Sequence, residues 1–265
     1  MPMTDEQFQS FQLWFTNHIV AFRESDPMHQ RSLDLKKEHT ARVIAIMNRL
    51  TRTLRLSKNA CLVASVTALF HDLGRFPQYR RYRTFRDPDS ENHAKLSIRE
   101  LTRYRVLHSL EPEERHLIGR AIIFHNRLCL PDRLDPVTLL HSRLIRDADK
   151  VDILRVMADE FRRPKSQQNP VVTLGLNAEE GVRDEVYRRL FAKRIMNYTE
   201  LKNANEFKVL QMSWLFDINF RETFEILRER DDLDVIAATL PATAIRDEAR
   251  SFMKDYIDRS LERGI

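Results

Sequence analysis

Apolar residues recur at helical spacing along almost the whole chain. Phe8, Phe11, Phe15 and Ile19 follow one another at intervals of three or four residues, as on one face of a helix. Thr4 followed by Gln7 is typical of a capping box. The pattern therefore predicts a first amphipathic helix that begins near residue 4.

Further helices are predicted between polar breaks. A second helix is expected from about Arg31 to Arg55, and a third after an N-cap at Ser57. The third has a nearly continuous apolar run over residues 60–70, which predicts a central helix buried on most sides. Residues 76–90 are predicted to form a loop, with Asp89 or Ser90 capping the next helix. Later helices are expected to open at Glu111–Pro112 and Asp135–Pro136, the second of them running to about Phe161.

The last third of the chain has the same helical character. Residues 164–177 read as a polar connector, and Asn177 with Glu180 could form a capping box. One stripe, which is either core or a dimer face, comprises Phe207, Leu210, Trp214, Ile218 and Phe224. We therefore predict an all-α fold, with a helical domain over 1–165 and a helical extension over 166–265 packed on it.

Composition agrees with long helices and excludes several classes of protein. The 265 residues include 5 glycines and 10 prolines, too few for an all-β fold rich in turns. Cys61 and Cys129 form no CxxC motif, so a disulfide framework is not expected and the cytoplasm is the predicted location. No apolar run reaches the roughly 20 residues that cross a bilayer, and no signal peptide is recognised. A net charge of +5 suits anionic substrates but does not indicate nucleic acid.

Several polar residues stand where the helical pattern demands apolar ones. They are His39, the adjacent pair His71 and Asp72, His93, His125 and Asp147. Asp147, for example, interrupts a stripe with Leu140, Leu144, Val151 and Leu154. Burying such groups is costly unless something satisfies them, and a metal ion can do so.

A single histidine on an apolar face is more often a hydrogen-bonded core residue than a ligand. The six residues together favour a metal site, because several separate helices each turn a ligand type inward. The other histidines are predicted to lie on the surface or to be satisfied locally; these are His18, His29, His108, His116 and His141.

The motifs resemble the HD-domain metal-dependent phosphohydrolase superfamily. The resemblance covers roughly residues 35–155 and is carried by His39, the doublet within Leu69–Arg75, and Asp147 within Arg146–Lys150. It implies an HD-domain helical bundle with additional N- and C-terminal helices. It also implies that His39, His71, Asp72 and Asp147 hold one ion, and that Asp72 bridges to a second ion held by His93 and His125. The Gly-Tyr-Pro triplet of cyclic-di-GMP phosphodiesterases is absent, and Arg75 stands where many relatives have lysine.

The donor set indicates the chemistry. Four imidazoles and two carboxylates suit one or two ions of Fe, Mn, Zn, Co or Ni better than Mg or Ca. A metal-bound hydroxide would cleave a phosphomonoester or phosphodiester, such as a nucleotide. Two other hypotheses stay open, namely a di-iron oxygenase with the same ligands and a non-catalytic, metal-bound regulatory domain.

Basic residues beside the doublet could bind a phosphorylated substrate. Arg75, Arg80 and Arg81 alternate with aromatic residues, and guanidinium groups can grip phosphate while rings stack on a base. A solvated basic loop explains the same pattern equally well. Asp149 and Lys150 could form an ion pair behind the ligands, Lys150 could reach phosphate as a catalytic group, or both could be ordinary surface residues.

Overall fold

The computed structural model describes residues 2–169, 171–172, 176 and 181–263. Within these ranges the chain forms helices and turns but no strand, so the predicted all-α fold class is confirmed. None of the described helices is both long and apolar enough to cross a membrane. The α-helices are α1 Asp5–Val20, α2 Pro27–Thr53, α3 Lys58–Phe70, α4 Arg75–Tyr82, α5 His93–Arg103, α6 Pro112–His125, α7 Pro136–Arg162, α8 Asp184–Phe191, α9 Ala204–Ser213, α10 Arg221–Glu229, α11 Asp232–Ala238 and α12 Ala244–Glu262. Short 3₁₀ helices lie at Asp87–Asp89, Lys165–Gln167, Tyr198–Glu200 and Trp214–Asp217.

The chain divides into two compact units, Met1–Asp149 and Lys150–Ile265. The boundary between them lies inside α7 rather than in a connector. The division at residue 165 that the sequence suggests stays a prediction.

Helix α3 is the centre of the first unit, as its apolar run predicts. Residues 62–70 are all buried, and the helix packs against α1, α2 and α6. Phe70 receives aromatic side chains from α1, with ring centroids 6.1 Å away for Phe11 and 5.9 Å away for Trp14. The end of α3, where His71 and Asp72 follow, is therefore fixed inside a packed core.

Helix starts follow the capping residues in the sequence. The Thr4 and Gln7 capping box is present, and Ser57 accepts a hydrogen bond from the Ala60 amide as the N-cap of α3. Helix α2 begins four residues earlier than predicted, because Asp26 caps it and Pro27 occupies its first position. Proline fits there, since the first amides of a helix have no intrahelical partner.

The loop predicted over residues 76–90 is wrong in its first half, which is helix α4. Pro77 is the third residue of this helix, where its missing N–H costs no hydrogen bond. The helix ends at Tyr82, and Arg83 follows as its C-cap with a left-handed φ of 55°. The predicted cap of the next helix is also wrong, because Asn92 rather than Asp89 or Ser90 accepts from the Lys95 amide at the start of α5.

The second unit has its own core around α9, which packs against α8 and α11. In the predicted stripe, Phe207, Leu210 and Phe224 are buried. Buried Glu206 receives two hydrogen bonds from the guanidinium of Arg183, including one of 2.8 Å from Nη2 to Oε2. The capping box predicted at Asn177 and Glu180 lies outside the described residues.

Candidate metal centre

Five of the six predicted ligands converge in the first unit. His39 lies on α2, His71 and Asp72 follow α3, His93 is the first residue of α5, and His125 is the last residue of α6. Each is at most 4% exposed. Four of the five lie at a helix end or directly after one, so short turns rather than long side chains bring them together.

Asp72 stands between two groups of histidines. Its Oδ2 atom lies 3.5 Å from Nε2 of His39 and 3.8 Å from Nε2 of His71. Its Oδ1 atom lies 3.3 Å from Nε2 of His93 and 4.0 Å from Nε2 of His125. One carboxylate thus turns each of its oxygens to a different pair of imidazoles.

Three of the imidazoles are held by their Nδ1 atoms. Nδ1 of His71 lies 2.7 Å from the carbonyl oxygen of Ala68, and Nδ1 of His125 lies 2.6 Å from that of Ile122. Nδ1 of His93 lies 2.7 Å from a carboxylate oxygen of Asp87. Because these oxygens only accept, Nδ1 must carry the proton and Nε2 is left as a bare lone pair.

Two of these bare nitrogens, on His93 and His125, lie closer together than neutral imidazoles tolerate without a cation. Nε2 of His93 and Nε2 of His125 are 2.9 Å apart, and those of His39 and His71 are 3.3 Å apart. In the His93 and His125 pair, neither Nε2 has a proton to donate to the other. A metal ion would satisfy both lone pairs, as it does in histidine sites with a fixed tautomer.

The structure places Asp149, rather than the predicted Asp147, beside the histidines. Asp149 Oδ1 lies 3.1 Å from Nε2 of His39 and 3.5 Å from Nε2 of His71. Among the described residues, Asp147 belongs to none of the groups that could hold an ion. Two residues along a helix differ by about 200° in direction, so only one of these carboxylates can face the cluster. We therefore replace Asp147 by Asp149 in the candidate ligand set.

Burial of an apolar stripe predicts Asp147, and not Asp149, as the carboxylate of this helix that turns inward. Asp147 is fully buried in the apolar stripe of α7, whereas the side chain of Asp149 is 13% exposed. A site that a substrate enters must have one open side, so a ligand on that side need not continue a core stripe.

Burial favours the neutral form of two of the histidines, His93 and His125. It lowers the pKa of His125 to about 3, with the nearby charges of His93 and His71 acting in the same direction. Burial also lowers the pKa of His93, and the charge of Arg75 adds to this effect. Neutral imidazole is the form that binds a metal.

The carboxylates remain ionised in spite of burial. Burial opposes the ionisation of Asp72, but Lys36 and His71 outweigh it, and the pKa of the carboxyl lies well below its usual range. Burial likewise opposes the ionisation of Asp149, but the adjacent His39 and His71 outweigh it, and the pKa of this carboxyl also lies well below its usual range. The cluster thus combines the protonation states that metal binding requires.

Packing between α5 and the turn that carries the doublet positions the ligands. The Gly74 amide donates to Oγ of Ser97 at 2.8 Å, and that hydroxyl donates to the carbonyl of His71 at 2.9 Å. A Cβ atom on Gly74 would lie 2.2 Å from the carbonyl oxygen of His93. Glycine is therefore required here for close approach of two backbone segments, and this approach brings His71 and His93 together.

Buried Arg146 fixes the end of α6. Its guanidinium donates to the carbonyl oxygens of Phe124 at 3.1 Å, His125 at 3.2 Å and Leu128 at 3.2 Å. Such contacts satisfy carbonyls that have no partner at a helix end. Arg146 thereby fixes the end of α6, and this helix end places His125 in the cluster.

Asp87 is a functional residue that the sequence did not reveal. Besides His93, it receives hydrogen bonds from Nη1 of Arg75 at 2.9 Å, Nε2 of Gln78 at 2.9 Å and Nδ2 of Asn126 at 3.1 Å. Burial opposes its ionisation, but the hydrogen bond and charge of His93 and the charge of Arg75 hold the pKa of its carboxyl well below the usual range. It lies in a short 3₁₀ turn with no periodic pattern, so no sequence signal distinguished it from Asp89.

The predicted substrate-binding arginines have different surroundings. Nη1 of Arg75 donates to Phe85, Asp87 and Gln78, and Nε lies 3.4 Å from Asp72. Arg80 donates to the carbonyl of Ala21 at 3.3 Å. Arg75 thus borders the cluster, and its role in binding substrate stays a prediction.

The other two basic side chains pair with acidic residues. Nη1 of Arg81 lies 3.1 Å from Glu91, and the Arg81 side chain is 68% exposed. Nζ of Lys150 lies 2.6 Å from Asp217 within the second unit. The roles predicted for Arg81 in substrate binding and for Lys150 in catalysis stay predictions.

Lys36 is a further residue at the cluster that the sequence did not reveal. Its Nζ atom lies 2.7 Å from Oδ2 of Asp72. The signal was its position three residues before His39, which puts both side chains on the same face of α2.

The donors fit one or two transition-metal ions. Three overlapping groups could each hold an ion, namely His39–His71–Asp72, His71–His125–Asp149 and Asp72–His93–His125. Four imidazoles and two carboxylates are typical ligands of Fe, Mn, Co, Ni or Zn. The geometry thus defines a buried, histidine-rich cluster that could hold metal in an all-α part of the chain.

Comparison with known families agrees with this class. Residues 37–154 match the HD domain family, and the resemblance drawn from the motifs is confirmed. Proteins with this domain are mostly metal-dependent hydrolases. No curated protein and no solved structure matches the chain.

Proposed function

We propose that the protein is a phosphohydrolase that uses two divalent transition-metal ions. One observation carries this proposal, namely that Asp72 directs Oδ2 toward His39 and His71 and Oδ1 toward His93 and His125. A carboxylate in this position can bridge two ions. Two ions held about 3.5–4 Å apart are the arrangement found in many phosphoryl-transfer enzymes.

The ions would supply Lewis acidity and an activated water for attack on phosphorus. The chain's own residues prepare this chemistry. Asp87, Ala68 and Ile122 fix the proton of three imidazoles on Nδ1, so that Nε2 is available to an ion. Burial around the ligands keeps bulk water away, which strengthens electrostatic interactions with a charged substrate.

The proposed substrate is a phosphorylated small molecule or a nucleotide, and the proposed location is the cytoplasm. Arg75 supports an anionic substrate because its guanidinium is held 3.4 Å from Asp72 by Asp87 and Gln78. A fixed positive charge at this border favours the developing charge of a phosphoryl group. No serine or cysteine nucleophile is needed for this reaction.

Metal-dependent phosphate release under anaerobic conditions tests the proposal. Protein purified without chelator would be analysed for metal and then incubated with a panel of phosphomonoesters, phosphodiesters and nucleotides. We expect phosphate release that stops with chelator and returns with Mn²⁺ or Fe²⁺. Asp72→Ala should lose metal and activity together, and full metal occupancy in that variant would contradict the bridging role.

The alternatives give other results in the same assay. Oxygen consumption with an organic substrate, without phosphate release under anaerobic conditions, would indicate a di-iron oxygenase. Retained metal with no turnover across the panel would indicate a regulatory domain. Either result would overturn the hydrolase proposal.

A further inference from the structure

Lys36 is a partly buried cation placed directly against the central carboxylate of the metal centre. Its side chain is 11% exposed, and Nζ lies 2.7 Å from Oδ2 of Asp72. The same Nζ lies 5.3 Å from the centre of the Phe85 ring. The lysine head group thus lies at the border of the site and not in open solvent.

The contact between Lys36 and Asp72 changes when metals bind. Oδ2 of Asp72 is also the oxygen that faces His39 and His71, where an ion would bind. A divalent ion on this oxygen takes over the charge that now neutralises the ammonium group, and it repels that group. Lys36 would then be a cation beside the metals, and it would share the negative charge of Asp72 with them.

The other cation at this border is Arg75, and its guanidinium already donates several hydrogen bonds within the protein. Nη1 of Arg75 donates to the carbonyl of Phe85, to Asp87 and to Gln78. Arg75 also lies over the Phe85 ring, at 5.8 Å from its centre. These contacts hold the guanidinium of Arg75 in place. The flexible stem of Lys36, in contrast, allows its ammonium group to turn toward a ligand.

We propose that Lys36 binds the phosphoryl group of the substrate on the Oδ2 side of Asp72. This inference rests on the proposed phosphohydrolase function and adds a specific binding residue to it. A tetrahedral anion bound to the metals would supply the negative charge that Lys36 loses when Asp72 coordinates. An ammonium group is well suited to this task, since it binds phosphate as a compact point charge.

Binding of inorganic phosphate to the metal-loaded protein tests the role of Lys36 without turnover. Lys36→Gln should weaken phosphate binding by about 10- to 100-fold, the usual effect of losing a charged hydrogen bond. Its metal content should stay equal to that of the unchanged protein. Lys36→Arg should recover most of the affinity, because it restores the charge. Calorimetry would give the dissociation constants, and elemental analysis would give the metal equivalents.

Lys37→Gln is the matched control, because Lys37 is the adjacent lysine and is exposed. It should leave phosphate binding unchanged. Equal phosphate affinity in Lys36→Gln and the unchanged protein would overturn the inference, and so would loss of metal in that variant. If Lys36 only neutralises Asp72, its replacement would tighten metal binding without affecting phosphate.

The outcome for Lys36 is separate from the outcome for hydrolysis. Lys36-dependent phosphate binding without turnover on any substrate would support the anion site and contradict the hydrolase. Hydrolysis with a KM that does not change in Lys36→Gln would support the hydrolase and contradict the role of Lys36.

Discussion

Nε2 of His93 lies 2.9 Å from Nε2 of His125, although Nδ1 of each ring is already engaged, by Asp87 and by the carbonyl of Ile122. Two bare nitrogen lone pairs therefore face each other in a buried space. Without a cation this arrangement opposes folding, because buried acceptors lose their hydration and gain no donor. Metal binding and stability should consequently be coupled.

Loading with metal should raise the melting temperature. At a free metal concentration of 1,000 times Kd, binding to the native state alone adds about 4 kcal/mol, which corresponds to a rise of roughly 10 °C. Differential scanning fluorimetry with Mn²⁺, Zn²⁺ and chelator would measure the shift. Asp72→Ala, which lacks the central ligand, should show a much smaller shift. Equal melting temperatures with metal and with chelator would contradict the coupling.

Asp149 and Asp147 should respond differently to the same substitution. Asp149→Asn removes a charged ligand beside His39 and His71, and we expect it to lose at least one metal equivalent or to bind metal at least tenfold more weakly. Asp147→Asn is the matched control on the same helix, and it should retain the metal equivalents of the unchanged protein. Elemental analysis after dialysis would distinguish the two. The reverse pattern would restore the ligand assignment made from sequence.

Most residues of the cluster can be predicted from the sequence, because each of them is a polar residue in a local apolar pattern. His39 and His125 interrupt apolar faces, and His71 with Asp72 end an apolar helix, so periodicity and cost of burial are sufficient to select them. The same reasoning chose Asp147, since it favours the most buried carboxylate.

The remaining features depend on contacts between segments that are far apart in sequence. Lys36 contacts Asp72 across 36 residues, and Asp87 contacts Asn126 across 39 residues, so neither contact can be seen in the local pattern. The difference at helix α4 has a local reason, because Pro77 is typical of a loop but is also compatible with the first turn of a helix, where it lies. Propensity alone does not decide such a case.

Asp87 should control binding of the ion near His93. Asp87→Ala leaves Nδ1 of His93 without its acceptor, so the ring can change tautomer and turn. Loss of such a partner usually costs 10- to 100-fold in metal affinity, roughly the range expected here. A calorimetric metal titration should show that one equivalent is weakened while the other is retained. Asp89→Ala is the control, because Asp89 is exposed in the same short turn. Equal titrations of the two variants would contradict this role.

Gly74→Ala should disturb the backbone that carries His93. The added Cβ would lie 2.2 Å from the carbonyl oxygen of His93 and 2.6 Å from the amide nitrogen of Ser97, so α5 must move away. Overpacking of this kind typically costs about 1–3 kcal/mol of unfolding free energy. Metal affinity should fall as well.

Gly119→Ala is the control for this substitution. Gly119 lies within α6, and a Cβ there would meet its nearest neighbour, the side chain of Ile98, at 3.8 Å. Alanine favours the helix by up to about 1 kcal/mol at such a site, so this variant should be as stable as the unchanged protein or more stable. Chemical denaturation would measure both variants. A Gly74→Ala protein of unchanged stability would show that the two segments separate easily.

His141 should make the protein less stable in acid, independently of the metal centre. Its side chain is 2% exposed, and among the described residues Nδ1 has no hydrogen-bond partner. Burial lowers its pKa to about 4, from about 6.5 in an unfolded chain. The unfolded state therefore takes up a proton first as the pH falls. The stability contributed by neutral His141 is complete above pH 6.5 and is lost progressively between pH 6.5 and 4, by roughly 3 kcal/mol.

His141→Leu should remove this contribution, so its stability relative to the unchanged protein should improve as the pH falls from 7 to 4. Urea denaturation at each pH, with chelator present, would give the difference in unfolding free energy. The other histidines are common to both proteins, so their titration cancels in that difference. His116→Leu is the control, because His116 is exposed, and its difference from the unchanged protein should vary far less with pH. Parallel curves for His141→Leu and the unchanged protein would show that His141 titrates alike in the folded and unfolded states.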